Sequence, residues 1–117
     1  MKRLAQTLRI GYESALTGEI ILTYDELILL LDYVFQHEYA IVLGGDVLDV
    51  NDRHTYLNWY YQPQESITRV ENITQSCQAA QRYIRQLTEA RSRHYVIVLG
   101  EVYKSQRGNA VRRSDDY

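Results

Sequence analysis

Two continuous apolar runs, each five residues long, constrain the fold of this chain most strongly. They occupy residues 39–43 and 95–99, and both are too short for a buried helix and rich in β-branched residues. Each run therefore predicts a buried strand. A third strand is predicted over residues 56–61, where side chains alternate between two faces. Trp59 then points inward and Tyr60 outward.

Helical periodicity surrounds these strands. A first helix is predicted over residues 2–16, with Gly18 as its stop and residues 19–22 as a short link. The second begins at Thr23, which forms a capping box with Glu26 and a hydrophobic staple, and it ends near His37. The third helix is predicted from about residue 73 to 91, with Asn72 and Gln75 as a capping pair. Its apolar stripe follows steps of four and three residues: Ile73, Cys77, Ala80, Ile84 and Leu87.

This order of elements predicts an α+β domain. We expect a small, largely antiparallel sheet of three strands, or slightly more, with two to three helices packed on one face. Residues 1–103 form the single predicted domain, and residues 104–117 form a flexible tail, because they contain almost no apolar side chains. With no apolar run of 18 residues and no signal core, we expect a cytoplasmic protein without membrane contact.

Charge is unevenly distributed, although the net charge is only −2. Residues 19–52 contain no lysine or arginine. They carry eight acidic residues: Glu19, Asp25, Glu26, Asp32, Glu38, Asp46, Asp49 and Asp52. An acidic block steers basic partners and repels phosphates, so nucleic acid is not the expected partner.

The search for catalytic chemistry finds weak candidates. Asp46, Asp49 and Asp52 recur every three residues, and three carboxylates on one loop suit Mg²⁺ or Ca²⁺. The calcium-loop pattern is absent, however, and we expect no metal, no cofactor and no catalytic residue. Asp46 is alternatively a turn residue that accepts amide hydrogens near Gly44 and Gly45. Cys77 lies on an apolar stripe, which favours a buried and unreactive thiol.

Aromatic residues point instead to protein binding. The chain has eleven tyrosines, and tyrosine and tryptophan are frequent at interfaces and binding hot spots. The densest group is residues 58–61, which contain Trp59, Tyr60 and Tyr61 beside Asn58.

Several segments in this order resemble the immunity protein 40 family. They are an apolar strand ending in Gly44-Gly45-Asp46-Val47-Leu48, the piece Asn58-Trp59-Tyr60, a helix with Ser76, Ala79, Ala80, Tyr83 and Ile84, and the run at residues 95–99. The resemblance covers roughly residues 8–103. Family members are small bacterial proteins encoded beside polymorphic toxins, including contact-dependent growth inhibition effectors. The resemblance implies an α+β domain that binds and blocks a cognate toxin, without catalytic residues of its own.

We therefore expect an immunity protein that binds and neutralises a cognate toxin domain in a tight inhibitory complex. Nucleases with basic substrate-binding faces are one class of toxin that the acidic block suits, and the sequence leaves the activity of the toxin open. The expected partner contacts are Asp46, Asp49, Asp52, Tyr56 and Tyr60, and the expected structural residues are Gly44, Gly45 and Trp59. Two alternatives stay open. One is a small metal-dependent hydrolase that uses the three aspartates, and the other is a homodimeric adaptor with a tyrosine-rich sheet edge.

Overall fold

The computed structural model describes residues 1–100. The predicted tail at residues 104–117 and the predicted domain end at residue 103 lie outside the described residues. The main elements in chain order are helix α1 (Lys2–Leu8), strands β1 (Tyr12–Glu13) and β2 (Ile20–Thr23), helix α2 (Tyr24–Gln36), strands β3 (Val42–Leu48) and β4 (His54–Tyr60), helix α3 (Arg69–Arg85) and strand β5 (His94–Leu99). A short 3₁₀ helix, Ala90–Ser92, precedes β5.

The strands form one antiparallel sheet in the order β1-β2-β5-β3-β4, which confirms the predicted α+β class. The sheet is larger than its three-strand core because β1 and β2 pair where a helix and a link were predicted. Helix α1 ends at Leu8, since Arg9 adopts a left-handed conformation with φ of 58°. Gly11, with φ of 73°, lies so close to β2 that a Cβ there would stand 2.8 Å from Cγ2 of Ile20. The prediction of one helix over residues 2–16 is therefore wrong beyond Leu8.

Helix α2 begins as the sequence predicts. The Thr23 hydroxyl accepts the Glu26 amide hydrogen at 3.2 Å, and the Glu26 carboxylate accepts the Thr23 amide hydrogen at 3.0 Å. Leu29 and Phe35 lie outside the buried face of this helix and are about half exposed. The buried stripe comprises Leu27, Leu30, Leu31 and Val34.

Helix α3 starts four residues earlier than predicted. A second capping box, formed by Thr68 and Glu71, begins it. Asn72 is not a cap but a buried residue whose side chain bonds to Gln64. The helix ends at Arg85 rather than near residue 91. Its predicted stripe is confirmed at Ile73, Cys77, Ala80 and Ile84, while Leu87 is half-buried against the core.

The three helices pack on one face of the sheet. Their buried side chains join one cluster with the inward residues of the strands, among them Leu22, Val47 and Tyr95. Ser76 of α3 ties this layer to the sheet, since its hydroxyl accepts the Val42 amide hydrogen at 2.9 Å. A smaller buried cluster, Ile21, Leu48 and Val96, lies on the opposite face. Among residues 1–100, no helix has the length and apolar character needed to cross a membrane.

Candidate functional site

The sheet face opposite the helices, here called the open face, presents side chains in rows that cross β5, β3 and β4. Rows on one face are about 6.7 Å apart, because every second residue of a strand points the same way. Register defines two neighbouring rows, Val98–Gly44–Tyr60 and Val96–Asp46–Asn58. Val98 and Tyr60 remain 48% and 76% exposed. The open face therefore offers apolar and aromatic surface beside a carboxylate.

Gly44 leaves a gap in the first row. The pairing of β3 with β5 passes from Val42↔Leu99 to Gly44↔Val98, which is a β-bulge with two steps on β3 for one on β5. Gly44 has φ of 153°, and a Cβ there would lie 2.3 Å from the Trp59 carbonyl oxygen. The result is an open groove of about 430 Å³ between Val98 and Tyr60, here called the Gly44 groove.

Gly45 and Trp59 fix the position of β4 beneath this groove. A Cβ at Gly45 would lie 2.5 Å from the Val96 carbonyl oxygen and 2.6 Å from the Trp59 ring. Trp59 is 9% exposed and stacks on Tyr83 of α3, with 5.1 Å between ring centroids. Burial of Trp59 turns Tyr60 outward, as the alternation of the strand predicts.

Asp46 lies in the middle of β3, so the three aspartates do not share one loop. Its side chain is half-buried on the open face, beside Asn58. No hydrogen bond or ion pair joins its carboxylate to another described residue. The predicted role of Asp46 as a turn residue is therefore wrong, because its strand position takes it away from the turn amides.

The turn role belongs to Asp49 in the loop of residues 49–53, here called the β3–β4 loop. Oδ1 of Asp49 accepts the amide hydrogens of Asn51 and Arg53 at 2.8 and 3.0 Å. Oδ2 accepts the Nε hydrogen of Arg53 at 3.2 Å. The Arg53 amide is the largest cause that lowers the pKa of Asp49. The charge of Asp49 thus organises its own loop and is paired with Arg53.

Asp52 connects the β3–β4 loop to two other strands. Nδ1 of His94 in β5 donates to Oδ1 of Asp52 at 2.6 Å, and the Tyr12 hydroxyl in β1 donates to Oδ2. Burial of Asp52 opposes its ionisation, but these two hydrogen bonds outweigh it and lower the pKa. The same hydrogen bond to Asp52 is the main cause that raises the pKa of Tyr12 to about 12.

Tyr56 is the most exposed of the predicted contact residues, at 88%. Its φ of 67° marks an irregular point in β4, and its ring lies 6.3 Å from that of His54. The structure thus divides the five predicted contacts between two places. Asp46 and Tyr60 line the Gly44 groove, whereas Asp49, Asp52 and Tyr56 lie at the loop end of the same hairpin.

The three aspartates are spread along the β3–β4 hairpin, with Asp46 within β3 and Asp49 and Asp52 in the loop. In the part of the chain that the structure describes, no three His, Cys, Asp or Glu side chains are grouped so that they could hold an ion. Cys77 is buried, and burial raises the pKa of its thiol to about 12, so the thiolate form is scarce at neutral pH.

Sequence reasoning missed three residues of these surfaces: Tyr12, His94 and Val98. The alternation within residues 94–99 places His94 and Val98 on one face and was a usable signal. Tyr12 had no such signal, because residues 2–16 look like one amphipathic helix. Only the β1–β2 pairing brings Tyr12 to Asp52, forty residues away in sequence.

Comparison with known proteins identifies a family. A family model described as Immunity protein 40 matches residues 9–100, which is most of the chain. No curated protein and no solved structure matches the chain at a significant level.

Proposed function

The chain belongs to the immunity protein 40 family, and from this premise we propose that it binds one cognate bacterial toxin domain and neutralises it in a tight, stoichiometric complex. As an immunity protein, it has a toxin protein as its partner. The toxin is encoded beside this chain in a polymorphic system of the contact-dependent inhibition type. Binding takes place in the cytoplasm, and the chain itself performs no catalysis.

The open face is the proposed docking surface, together with the neighbouring loop end of the β3–β4 hairpin. The observation that carries this choice is the exposed aromatic and apolar surface on a sheet face that no described helix covers. Tyr60 and Val98 supply exposed contact area, and exposed tyrosines are frequent anchors at protein interfaces. The proposed contacts are Asp46, Asp49, Asp52, Tyr56 and Tyr60.

The acidic block at residues 19–52 supports the proposal that the toxin has a basic face, as a nuclease would. Complementary charge accelerates encounter between two proteins and suppresses wrong partners. The block also repels nucleic acid, so it favours capture of the nuclease over capture of its substrate.

The test uses the toxin domain encoded next to this gene. Binding is measured by surface plasmon resonance, and protection is measured by the growth of cells that express the toxin. We expect tight stoichiometric binding and full protection by the unmodified chain. Tyr60→Ala should weaken binding by at least about tenfold, as at an interface hot spot. Phe35→Ala is the matched control, because Phe35 is a half-exposed aromatic residue on α2, in the helical layer.

Two results would contradict the proposal. One is a complete lack of binding to the neighbouring toxin. The other is a stable homodimer that excludes the toxin, which would favour the tyrosine-rich adaptor instead. Loss of affinity with Phe35→Ala but not with Tyr60→Ala would move the docking surface to the helical layer.

A further inference from the structure

The Gly44 groove is an open depression on the open face, lined by the bulge of β3 and by side chains of the two flanking strands. Its floor is the backbone of β3 at Gly44, where no side chain rises, and its walls are Val98 and Tyr60. The two walls stand on strands that flank β3, so they are about 9.6 Å apart in backbone position. The far end of the groove is bounded by Gln62 and Pro63.

Charge in the groove comes from one residue. Asp46 is the only Asp, Glu, Lys, Arg or His among the described residues that line it, and it lies one row from Gly44. Its carboxylate has no hydrogen-bond or ion-pair partner among residues 1–100, in contrast to Asp49 and Asp52. Asp46 is therefore a carboxylate on the hairpin that is available to a partner.

We propose that the Gly44 groove binds one arginine side chain of the toxin, an inference that rests on the proposed function. The aliphatic stem lies over Gly44 and against Val98, because such stems pack on apolar surface while the charged head stays near polar groups. The guanidinium group pairs with the Asp46 carboxylate about 6.7 Å along the strand. The face of the Tyr60 ring, in the neighbouring row, makes a cation–π contact with the guanidinium group.

Arginine fits these groups better than lysine. Its planar guanidinium binds a carboxylate through two parallel hydrogen bonds and also stacks on an aromatic face, whereas lysine offers only a compact charge. The Asn58 side chain, in the same row as Asp46, adds an amide oxygen within the groove lining. The anchor is thus a partner arginine held by one carboxylate and one aromatic ring.

The first experiment tests the groove without the toxin. Nα-acetyl-arginine amide is titrated into the full ¹⁵N-labelled chain, and backbone amide shifts are followed. We expect saturable, millimolar binding that moves the amides of Gly44, Val98 and Asn58. The citrulline analogue, which has the same shape without the charge, should bind about tenfold more weakly. Equal binding of citrulline, or shifts confined to the β3–β4 loop, would overturn the proposal.

Variants then separate Asp46 from general charge. Asp46→Asn should weaken the arginine probe by about tenfold, and Tyr60→Leu should weaken it severalfold. Asp32→Asn is the matched control, because it removes one exposed acid from α2. Unfolding curves that coincide with the unmodified chain show that each variant is folded. If Asp46→Asn and Asp32→Asn lose the same affinity, the arginine is held by net charge and not by the groove.

The second experiment uses the neighbouring toxin. Asp46→Asn should raise the dissociation rate of the complex by at least about tenfold, while Asp32→Asn leaves it unchanged. Unchanged dissociation with Asp46→Asn, together with tight binding of the unmodified chain, would overturn the groove proposal and leave the proposed function standing. If the unmodified chain does not bind the toxin, the proposed function fails, and the groove is then not a toxin contact.

Discussion

The two ends of the β3–β4 hairpin are held in their conformations by different parts of the chain. At the loop end, side chains organise the structure: Asp49 binds the amides of its own turn, and Asp52 joins Tyr12 to His94. At the groove end the backbone organises the structure, through a bulge at Gly44 that leaves no room for a side chain. The carboxylates at the loop end bind groups of the chain itself, whereas the carboxylate of Asp46 at the groove end has no partner among residues 1–100.

This difference shows that formal charge and available charge are separate quantities. By sequence, Asp46, Asp49 and Asp52 are three equal members of one acidic block. In the structure, Asp49 is paired with Arg53 at 3.2 Å and Asp52 accepts from two donors, whereas Asp46 has no partner among the described residues. A partner that binds Asp49 or Asp52 competes with donors that are already present, and one that binds Asp46 meets no competing donor among residues 1–100.

The largest predicted effect is on stability and concerns the groove end of the hairpin, where the backbone bulge at Gly44 organises the structure. Gly44→Ala should lower the free energy of unfolding by about 3 kcal/mol, because the new Cβ meets the Trp59 carbonyl and the backbone conformation is unfavourable for alanine. Chemical denaturation measures the loss. The matched control is Gly100→Ala, where the nearest atom to the new Cβ is 3.5 Å away.

For Gly100→Ala we expect a change within about 0.5 kcal/mol. If the two alanine variants have equal stability, the bulge is not rigid and the groove is not fixed by the backbone. In that case the contrast between the two ends of the hairpin disappears.

Much of the groove end, at Gly44, was predictable from the sequence. Much of the loop end, at Asp49 and Asp52, was not. The sequence predicts a buried strand leading into Gly44-Gly45, and a strand with Trp59 inward and Tyr60 outward, since both follow from local apolar patterning. The contacts of Asp52 depend on Tyr12 and His94, which are 40 and 42 residues distant in sequence. The two-residue strand β1 that delivers Tyr12 has no periodicity of its own to detect.

The start of α3 shows a different kind of limit. Thr68 and Glu71 have the same spacing as Thr23 and Glu26, but the sequence equally offers Asn72 with Gln75 as a capping pair. Asn72 directly precedes the apolar stripe that begins at Ile73, and this position favours it as the cap. Its actual role, as a buried bridge between Gln64 and the Tyr61 hydroxyl, depends on the path of residues 61–64 beside the helix.

The second prediction compares the two ends directly. Asp46→Lys and Asp49→Lys change the net charge equally, so long-range steering of a basic toxin should weaken by the same amount in both. Asp46→Lys should in addition raise the dissociation rate by at least about tenfold, because it places a cation where the toxin arginine binds. Stopped-flow association and dissociation rates at several salt concentrations separate the two effects.

If Asp49→Lys raises the dissociation rate more than Asp46→Lys, the β3–β4 loop contributes more to the stability of the complex than the groove does, and Asp46 is not the anchor. Charge reversal of Asp49 together with Asp52 should slow association as well, but it also removes the acceptor for Tyr12 and His94. The single changes are therefore the more direct comparison.

The third prediction concerns the internal use of Asp49. Asp49→Ala removes the acceptor for two loop amides, so hydrogen exchange at Asn51 and Arg53 should become severalfold faster. Asp49→Asn keeps the side-chain oxygen and should preserve most of the protection. Unchanged exchange with Asp49→Ala would show that the turn holds without this side chain.

The smallest predicted effect is a dependence on pH that belongs to the loop end alone. The lowered pKa of Asp52 means that its contacts stabilise the folded chain above its ordinary value of 3.8, and this contribution is lost as pH falls through the lowered value. The raised pKa of Tyr12 affects stability at high pH. The contribution of the Tyr12 hydroxyl to the free energy of unfolding is complete below pH 10.0 and is lost as pH rises through about 12.

Tyr12→Phe measures this contribution, because it removes the hydroxyl and keeps the ring. Since the Tyr12–Asp52 contact is partly exposed, the variant should cost at most about 1 kcal/mol near neutral pH. That difference should shrink both in acid and in strong base, as each partner of the hydrogen bond changes its protonation state. Asp46→Asn is the control near neutral pH, because no described residue pairs with Asp46, so it should change the free energy of unfolding by no more than about 0.5 kcal/mol. A cost for Asp46→Asn as large as that for Tyr12→Phe near neutral pH, or a constant cost for Tyr12→Phe across the titration, would mean that the paired and the unpaired carboxylates have been assigned to the wrong ends of the hairpin.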